Sequence, residues 1–201
     1  SWCCIGGVVG LIKDLTTNTN TISGCNNHGD LETIVATNRV SIGGAVGFID
    51  NSNTSVSTIK NYGNIANKAD AGSGVSLGGA VGRIQAHKTA GVNSITSCEN
   101  KGNITFAGKC INDASMSSGI GGIIGIHAGA VKKVTTTKDN KTTTSYYHFK
   151  SILTITGCTN KGTVEKTGAG SNGFHLGGIA GTINSTYNAV EDKAEATITS
   201  C

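Results

Sequence analysis

The sequence predicts an all-β parallel β-solenoid of about five rungs, and three observations carry that prediction. A glycine-paired segment recurs five times, as Ile5-Gly6-Gly7-Val8-Val9-Gly10, Ile42-Gly43-Gly44-Ala45-Val46-Gly47, Leu77-Gly78-Gly79-Ala80-Val81-Gly82, Ile120-Gly121-Gly122-Ile123-Ile124-Gly125 and Leu176-Gly177-Gly178-Ile179-Ala180-Gly181. A second segment alternates with it, beginning at Ile22, Val56, Ile95 and Ile155, reaching an Asn-x-Gly turn in each case, and starting a fifth time at Ile198. The composition of 30 glycines, no proline and many Thr, Asn and Ser disfavours helix, because these residues are poor helix formers.

The first glycine of each pair stands at 6, 43, 78, 121 and 177, giving periods of 37, 35, 43 and 56 residues. Constant motifs at variable spacing mean a fixed frame with loops of different length. Each repeat contains three β-like pieces: the glycine-paired segment, the Ile-x-x-Cys segment, and the apolar residue after Asn-x-Gly-x. Three such pieces make a three-stranded rung. Apolar residues recur at every second position, as in Val40, Ile42, Gly44 and Val46, which is the strand period. A single rung cannot cover its apolar face, so rungs stack about 4.8 Å apart in parallel pairing. Residues 1–201 thus read as a single repeat region with rungs starting near 1, 38, 73, 116 and 172.

The glycines are expected to supply positive φ or close backbone approach at corners. The turn asparagines, Asn27, Asn61, Asn100 and Asn160, are expected to stack into a column whose amides bond to backbone and to one another.

The pattern Gly-Gly-[Ile/Val]-[Val/Ala]-Gly followed by Ile-x-x-Cys-x-Asn-x-Gly resembles the GLUG-type repeat over essentially the whole chain. Such repeats occur in large secreted or surface-anchored bacterial proteins, including adhesin-like proteins of Bacteroidetes-like type. The resemblance implies a right-handed parallel β-helix at the bacterial cell surface. It implies no activity, because its motif is built of structural residues.

The repeat cysteines fall at Cys25, Cys98, Cys158 and Cys201, with Ile59 in the equivalent place of the second rung. A metal ligand or disulfide partner does not interchange with Ile, whereas a small buried hydrophobe does, so a core ladder of reduced thiols is expected. Cys3 and Cys4 align with Val40 and Ser41, placing one inward and Cys4 outward; Cys110 lies in a loop. No base stands near either to activate it. The five histidines occupy unrelated contexts without ligand spacing, so no metal site or other cofactor is expected. The Gly-Gly segments are not phosphate loops, since no helix follows them. Carbohydrate cleavage requires converging carboxylates. Here Glu32 and Glu165 share a rung position but lie three rungs apart, and Glu191, Asp192 and Glu195 read as a solvated loop. No catalytic residue is assigned.

The main departure from the repeat is an insertion over 128–152, read as a β-hairpin protruding from the fourth rung, with β-branched and aromatic arms around a Lys138-Asp139-Asn140-Lys141 turn. Tyr146, Tyr147, His148 and Phe149 form its candidate binding surface, since excursions from a repeat scaffold carry function. The competing reading has the hairpin packing back on the coil.

The net charge of +4 comes from scattered lysines with two arginines, Arg39 and Arg83, which makes nucleic acid a poor partner. No apolar run approaches the roughly 20 residues of a membrane span, and any secretion signal lies upstream or has been removed. Both ends, Trp2-Cys3-Cys4-Ile5 and Ala196 to Cys201, have the pattern of ordinary rungs. Flanking rungs, another domain or another copy are therefore expected to cover them. The expected role is an extracellular structural or adhesive module displaying loops for host protein or glycan contact. The alternatives are a polysaccharide lyase-like or hydrolase-like β-helix enzyme and a subunit of a filament built by end-to-end stacking.

Overall fold

A computed structural model describes residues 2–13, 19–50, 52–85, 91–109, 118–138, 141–149, 151–168, 174–184 and 195–201. The chain is all β. The first rung comprises β1 (Trp2–Gly6), β2 (Val9–Lys13), β3 (Thr19–Ser23), β4 (Asn26–Asn27) and β5 (Leu31–Thr33). The second comprises β6 (Thr37–Gly43), β7 (Val46–Asp50), β8 (Asn53–Ser57), β9 (Lys60–Asn61) and β10 (Ile65–Asn67). In the third are β11 (Ala71–Gly78), β12 (Val81–Gln85), β13 (Gly91–Thr96), β14 (Glu99–Asn100) and β15 (Ile104–Phe106). The fourth runs through β16 (Ser118–Gly121) and β17 (Ile124–Ala128), leaves the coil as β18 (Ala130–Lys138) and β19 (Lys141–Phe149), and resumes with β20 (Ser151–Thr156), β21 (Thr159–Asn160) and β22 (Val164–Lys166). The last contains β23 (Phe174–Gly177), β24 (Ala180–Asn184) and β25 (Glu195–Thr199).

Equivalent strands stack in parallel into five sheets: β1-β6-β11-β16-β23, β2-β7-β12-β17-β24, β3-β8-β13-β20-β25, β4-β9-β14-β21 and β5-β10-β15-β22. This is a parallel β-helix, and each of its first four rungs contributes five short strands to these sheets. The break between the first two falls at the glycine pair. Val40 and Ile42 belong to one apolar core with Val75, Leu77, Ile104, Phe106 and Ile120. Val46, two residues past the pair, belongs to another with Ile49, Val81, Ile84, Ile95, Cys98 and Ile155. The glycine-paired segment is therefore a fold-back corner between two strands, and the coil has two cores.

Close approach, not positive φ, explains the glycines of this corner. A Cβ on Gly47 would lie 2.7 Å from the backbone nitrogen of Ile5, and one on Gly125 would lie 2.6 Å from that of Leu77, so the first two sheets pack back to back. The tip of the wedge they form meets the asparagine turns. A Cβ on Gly44 would stand 2.8 Å from Asn61 Cβ, and one on Gly79 would stand 2.5 Å from Asn100 Cβ. Positive φ occurs elsewhere, at Gly24, Thr58, Ser97, Gly157 and Ser200, the residue before the Cys or Ile59 of every rung. That corner turns through the left-handed region whether or not glycine occupies it.

Candidate functional site

Strand bounds show which parts of the coil are fixed and which are free. Two residues join the first sheet to the second, two join the third to the fourth and three join the fourth to the fifth, in every rung where both strands are described. All variation in length falls at two corners, after the second sheet and after the fifth. The former takes two residues after β7 and the whole β18–β19 excursion after β17; the latter takes three after β5 and eleven after β15.

These two corners open on one side of the coil, because the outer ends of the wedge strands meet there. Trp2, at the start of β1, stacks on Phe48 of β7 with ring centroids 4.6 Å apart. The guanidinium carbons of Arg39 and Arg83 lie 5.1 and 5.6 Å from its ring centroid. Trp2 Nε1 donates to Ser41 Oγ at 3.4 Å, and Arg83 Nε donates to Gln85 Oε1 at 3.0 Å. Burial, and then the charge of Arg39, lower the Arg83 pKa to about 10, with Asp50 opposing, so Arg83 stays cationic at neutral pH. These side chains fill the cleft between the two sheets themselves.

The opposite side of the coil is the asparagine edge. Asn27, Asn61, Asn100 and Asn160 stand in register. Each of the first three donates from Nδ2 to the next residue's Oδ1 at 2.7 Å. Every one of the four also donates to the carbonyl of the glycine two residues on, at 2.8–2.9 Å. A second column escaped the sequence reading. The Oδ1 atoms of Asp30, Asn64 and Asn103 accept the backbone N–H of the equivalent residue one rung on, at 2.7–3.0 Å. Its signal lay in the residue after each Asn-x-Gly. The amides of Asn27, Asn61 and Asn100 are thus satisfied within the column and by backbone, whereas Asp30, Asn64 and Asn103 remain exposed.

Cys25 is half-buried, Cys98 and Cys158 are buried and Cys201 is exposed, and all four thiols are free. The backbone N–H of Cys98 donates to Cys158 Sγ and that of Cys158 to Cys201 Sγ, both at 3.4 Å. The hydrogen bond with Cys98, together with burial, holds the Cys158 thiol well above its ordinary pKa. Cys4 pairs with Ser41 in register, and burial, Cys3 and Asp50 push its thiol up to about 11, so it is no thiolate at neutral pH. Cys110 lies outside the described residues.

Glu32 and Glu165 share a column with Ala66 and Thr105 between them. Glu32 pairs with Lys68 at 2.6 Å, and Glu165 accepts from Thr105 at 3.3 Å. Glu191 and Asp192 lie outside the described residues. Among the described residues, no group of three His, Cys, Asp or Glu could hold a metal ion.

One buried polar pair was not anticipated. His127 occupies the column of Ile12, Ile49, Ile84 and Ile183, facing the core of the wedge's second sheet. Its Nε2 lies 2.9 Å from Ser151 Oγ, both residues are wholly buried, and its Nδ1 has no partner. A Ser–His pair invites comparison with a nucleophile and its base, but no substrate reaches a wholly buried serine. Its position is informative in another way: it joins the end of β17 to the start of β20, where the excursion leaves and re-enters the coil.

That excursion is an antiparallel ribbon with Ala130 opposite Phe149, Lys132 opposite Tyr147, Lys133 opposite Tyr146 and Val131 opposite His148. The side chains of Tyr146, Tyr147, His148 and Phe149 lie outside those described. Thr135, Thr136, Thr137, Thr142, Thr143 and Thr144 are all exposed. Consecutive strand residues face opposite sides, so both faces of the distal ribbon are in solvent and that half does not pack back on the coil. Comparison with protein-family models, curated proteins and solved structures finds no match for this chain.

Proposed function

We propose that this chain is a non-catalytic structural and adhesive module of an extracellular bacterial surface protein of GLUG-repeat type, displaying loops for contact with protein or glycan. The observation that carries this reading is the confinement of every length change to two corners on one side of the coil, with the other three corners fixed and the opposite edge held in register by an amide ladder. A scaffold that holds its frame and varies one side separates stability from recognition, as binding loops on rigid frames do. The outward face of the third sheet adds a regular array of hydroxyls suited to glycan contact, with Ser94 donating to Ser55 at 3.2 Å and Thr156 and Thr199 bonded at the same distance.

The end rungs expose Val8 and Leu11 on one side and Leu176, Ile183 and Ile198 on the other. This supports coverage by further rungs, another domain or a second copy.

The test replaces residues 130–149 by a short turn and screens parent and variant on glycan and extracellular-protein arrays. The expected result is an unchanged melting temperature with loss of one class of ligand. Depolymerisation of any polysaccharide in the panel by the parent would overturn the non-catalytic reading.

A further inference from the structure

We propose that the β18–β19 ribbon is a cationic arm that docks acidic polysaccharide, a carboxylated or sulfated glycan; this rests on the display reading and names the partner of that excursion. Residues 128–152 contain five lysines, at 132, 133, 138, 141 and 150, and one acid, Asp139. Their net charge equals the +4 of the whole chain, so the rest of the coil is neutral. The excess of cations over acids in the chain thus falls within the segment that forms the ribbon.

Three features of the arm fit a polyanion. Lys138 and Lys141 are directly opposed across the ribbon. Like charges at such a pair weaken a hairpin, and a bound anion relieves that repulsion. Lys132 stands opposite Tyr147 and Lys133 opposite Tyr146 in the register of the ribbon, so cationic and aromatic residue types are paired there, the combination that takes an acidic sugar's charge and its apolar ring face. Between these two lysine clusters, six exposed threonines supply hydroxyl donors and acceptors on both faces.

The arm has no arginine. Lysine acts as a mobile point charge and lacks the planar fork that recognises phosphate in two-point fashion, which favours spaced carboxylates or sulfates over a nucleic-acid backbone. The buried His127–Ser151 hydrogen bond joins the coil strands β17 and β20 between which the arm leaves and returns.

The experiment titrates the full chain with polygalacturonate and heparin, with dextran, polyglutamate and duplex DNA alongside, at low and at physiological salt. The parent is expected to bind the two acidic polysaccharides, more weakly as salt rises, and not dextran. The combined variant Lys132→Gln, Lys133→Gln, Lys138→Gln, Lys141→Gln is expected to bind roughly tenfold more weakly or worse, the sum of four exposed ion pairs, at an unchanged melting temperature. An equal charge change on the coil, Lys60→Gln, Lys68→Gln, Lys101→Gln, Lys161→Gln, should leave binding within about twofold. Failure of the parent to bind, equal weakening by the coil variant, or equally tight binding of polyglutamate or DNA would each overturn the proposal. None of these touches the display reading, which falls separately if removing the arm changes nothing on the arrays.

Discussion

Gly79 and Asn100 touch across the rung: a Cβ on Gly79 would lie 2.5 Å from Asn100 Cβ, against the amide column. The glycine pair and the asparagine turn, the two signatures of the repeat, are thus two sides of one contact. Gly79→Ala should destabilise the coil severely, because neither the adjacent backbone nor the laddered amide can retreat. Gly178 holds the same motif position in the last rung, where a Cβ would meet nothing within 4 Å. Gly178→Ala should leave the melting temperature near that of the parent. Equal loss in both variants would show that the glycine is needed for its backbone conformation and not for this contact.

Asn100 accepts from Asn61 and donates to Asn160 and to the Gly102 carbonyl, and it is wholly buried. Asn100→Ala strands an amide donor above and an amide oxygen below, and should cost about 1 to 3 kcal/mol. Denaturant titration checks this, with a midpoint equal to the parent's counting against a buried ladder.

The register of these columns was legible because the repeat itself is the register: residues at matching places in consecutive copies must pair. The fold-back at the glycine pair was not. Val40, Ile42, Gly44 and Val46 alternate identically whether the strand runs straight or turns at Gly44 and Ala45, since a two-residue corner preserves the period of two. Two adjacent glycines, which weaken the interior of a strand, were the available hint. His127 was legible only by aligning it with Ile12, Ile49, Ile84 and Ile183, which reveals a polar residue in an apolar column. On the arm, the pairing of its two strands was readable from composition, but the exposure of its distal threonines on both faces depends on where the coil lies, which no local pattern encodes.

Thr58 and Ser97 are exposed and hold φ of 54° and 53° at a corner where Gly24 and Gly157 serve in other rungs. Left-handed backbone costs an L-residue about 1 to 2 kcal/mol, partly offset by the greater unfolded freedom of glycine. Thr58→Gly and Ser97→Gly should each stabilise by about 0.5 to 1 kcal/mol, Thr58 the more because it is β-branched. A fall in melting temperature for both would mean that their side chains contribute more than this strain.

The thiol column should behave as packing. Cys98→Ala removes a small buried group and should cost about 1 kcal/mol without altering any binding. Native alkylation at neutral pH should modify exposed Cys201 while leaving Cys98 and Cys158 intact, and non-reducing mass analysis should find no link between that pair. A Cys98–Cys158 disulfide in the purified protein would contradict this account.

The strongest pH dependence should come from His127. Burial lowers its pKa to about 4 from an ordinary 6.5, with no charged neighbour contributing. Because the folded value lies below the unfolded one, the unfolded chain binds the extra proton first. Stability attributable to this residue is therefore complete above about pH 6.5 and declines as the pH falls toward 4, by a total on the order of 3 kcal/mol. The loss should begin at the root of the arm, where the His127–Ser151 bond joins β17 to β20, and hydrogen exchange should show those strands opening before β7 and β8. Replacing the pair together, His127→Ile with Ser151→Ala, restores the isoleucine column and leaves no hydroxyl partnerless. That variant should lose far less stability than the parent between pH 6.5 and 4, and should be at least as stable at pH 7, since a matched apolar pair can substitute for a buried polar one at little cost. If parent and double variant lose stability in parallel across that window, the acid sensitivity belongs to the carboxylates of the surface and His127 is already protonated, or already solvated, in the folded chain.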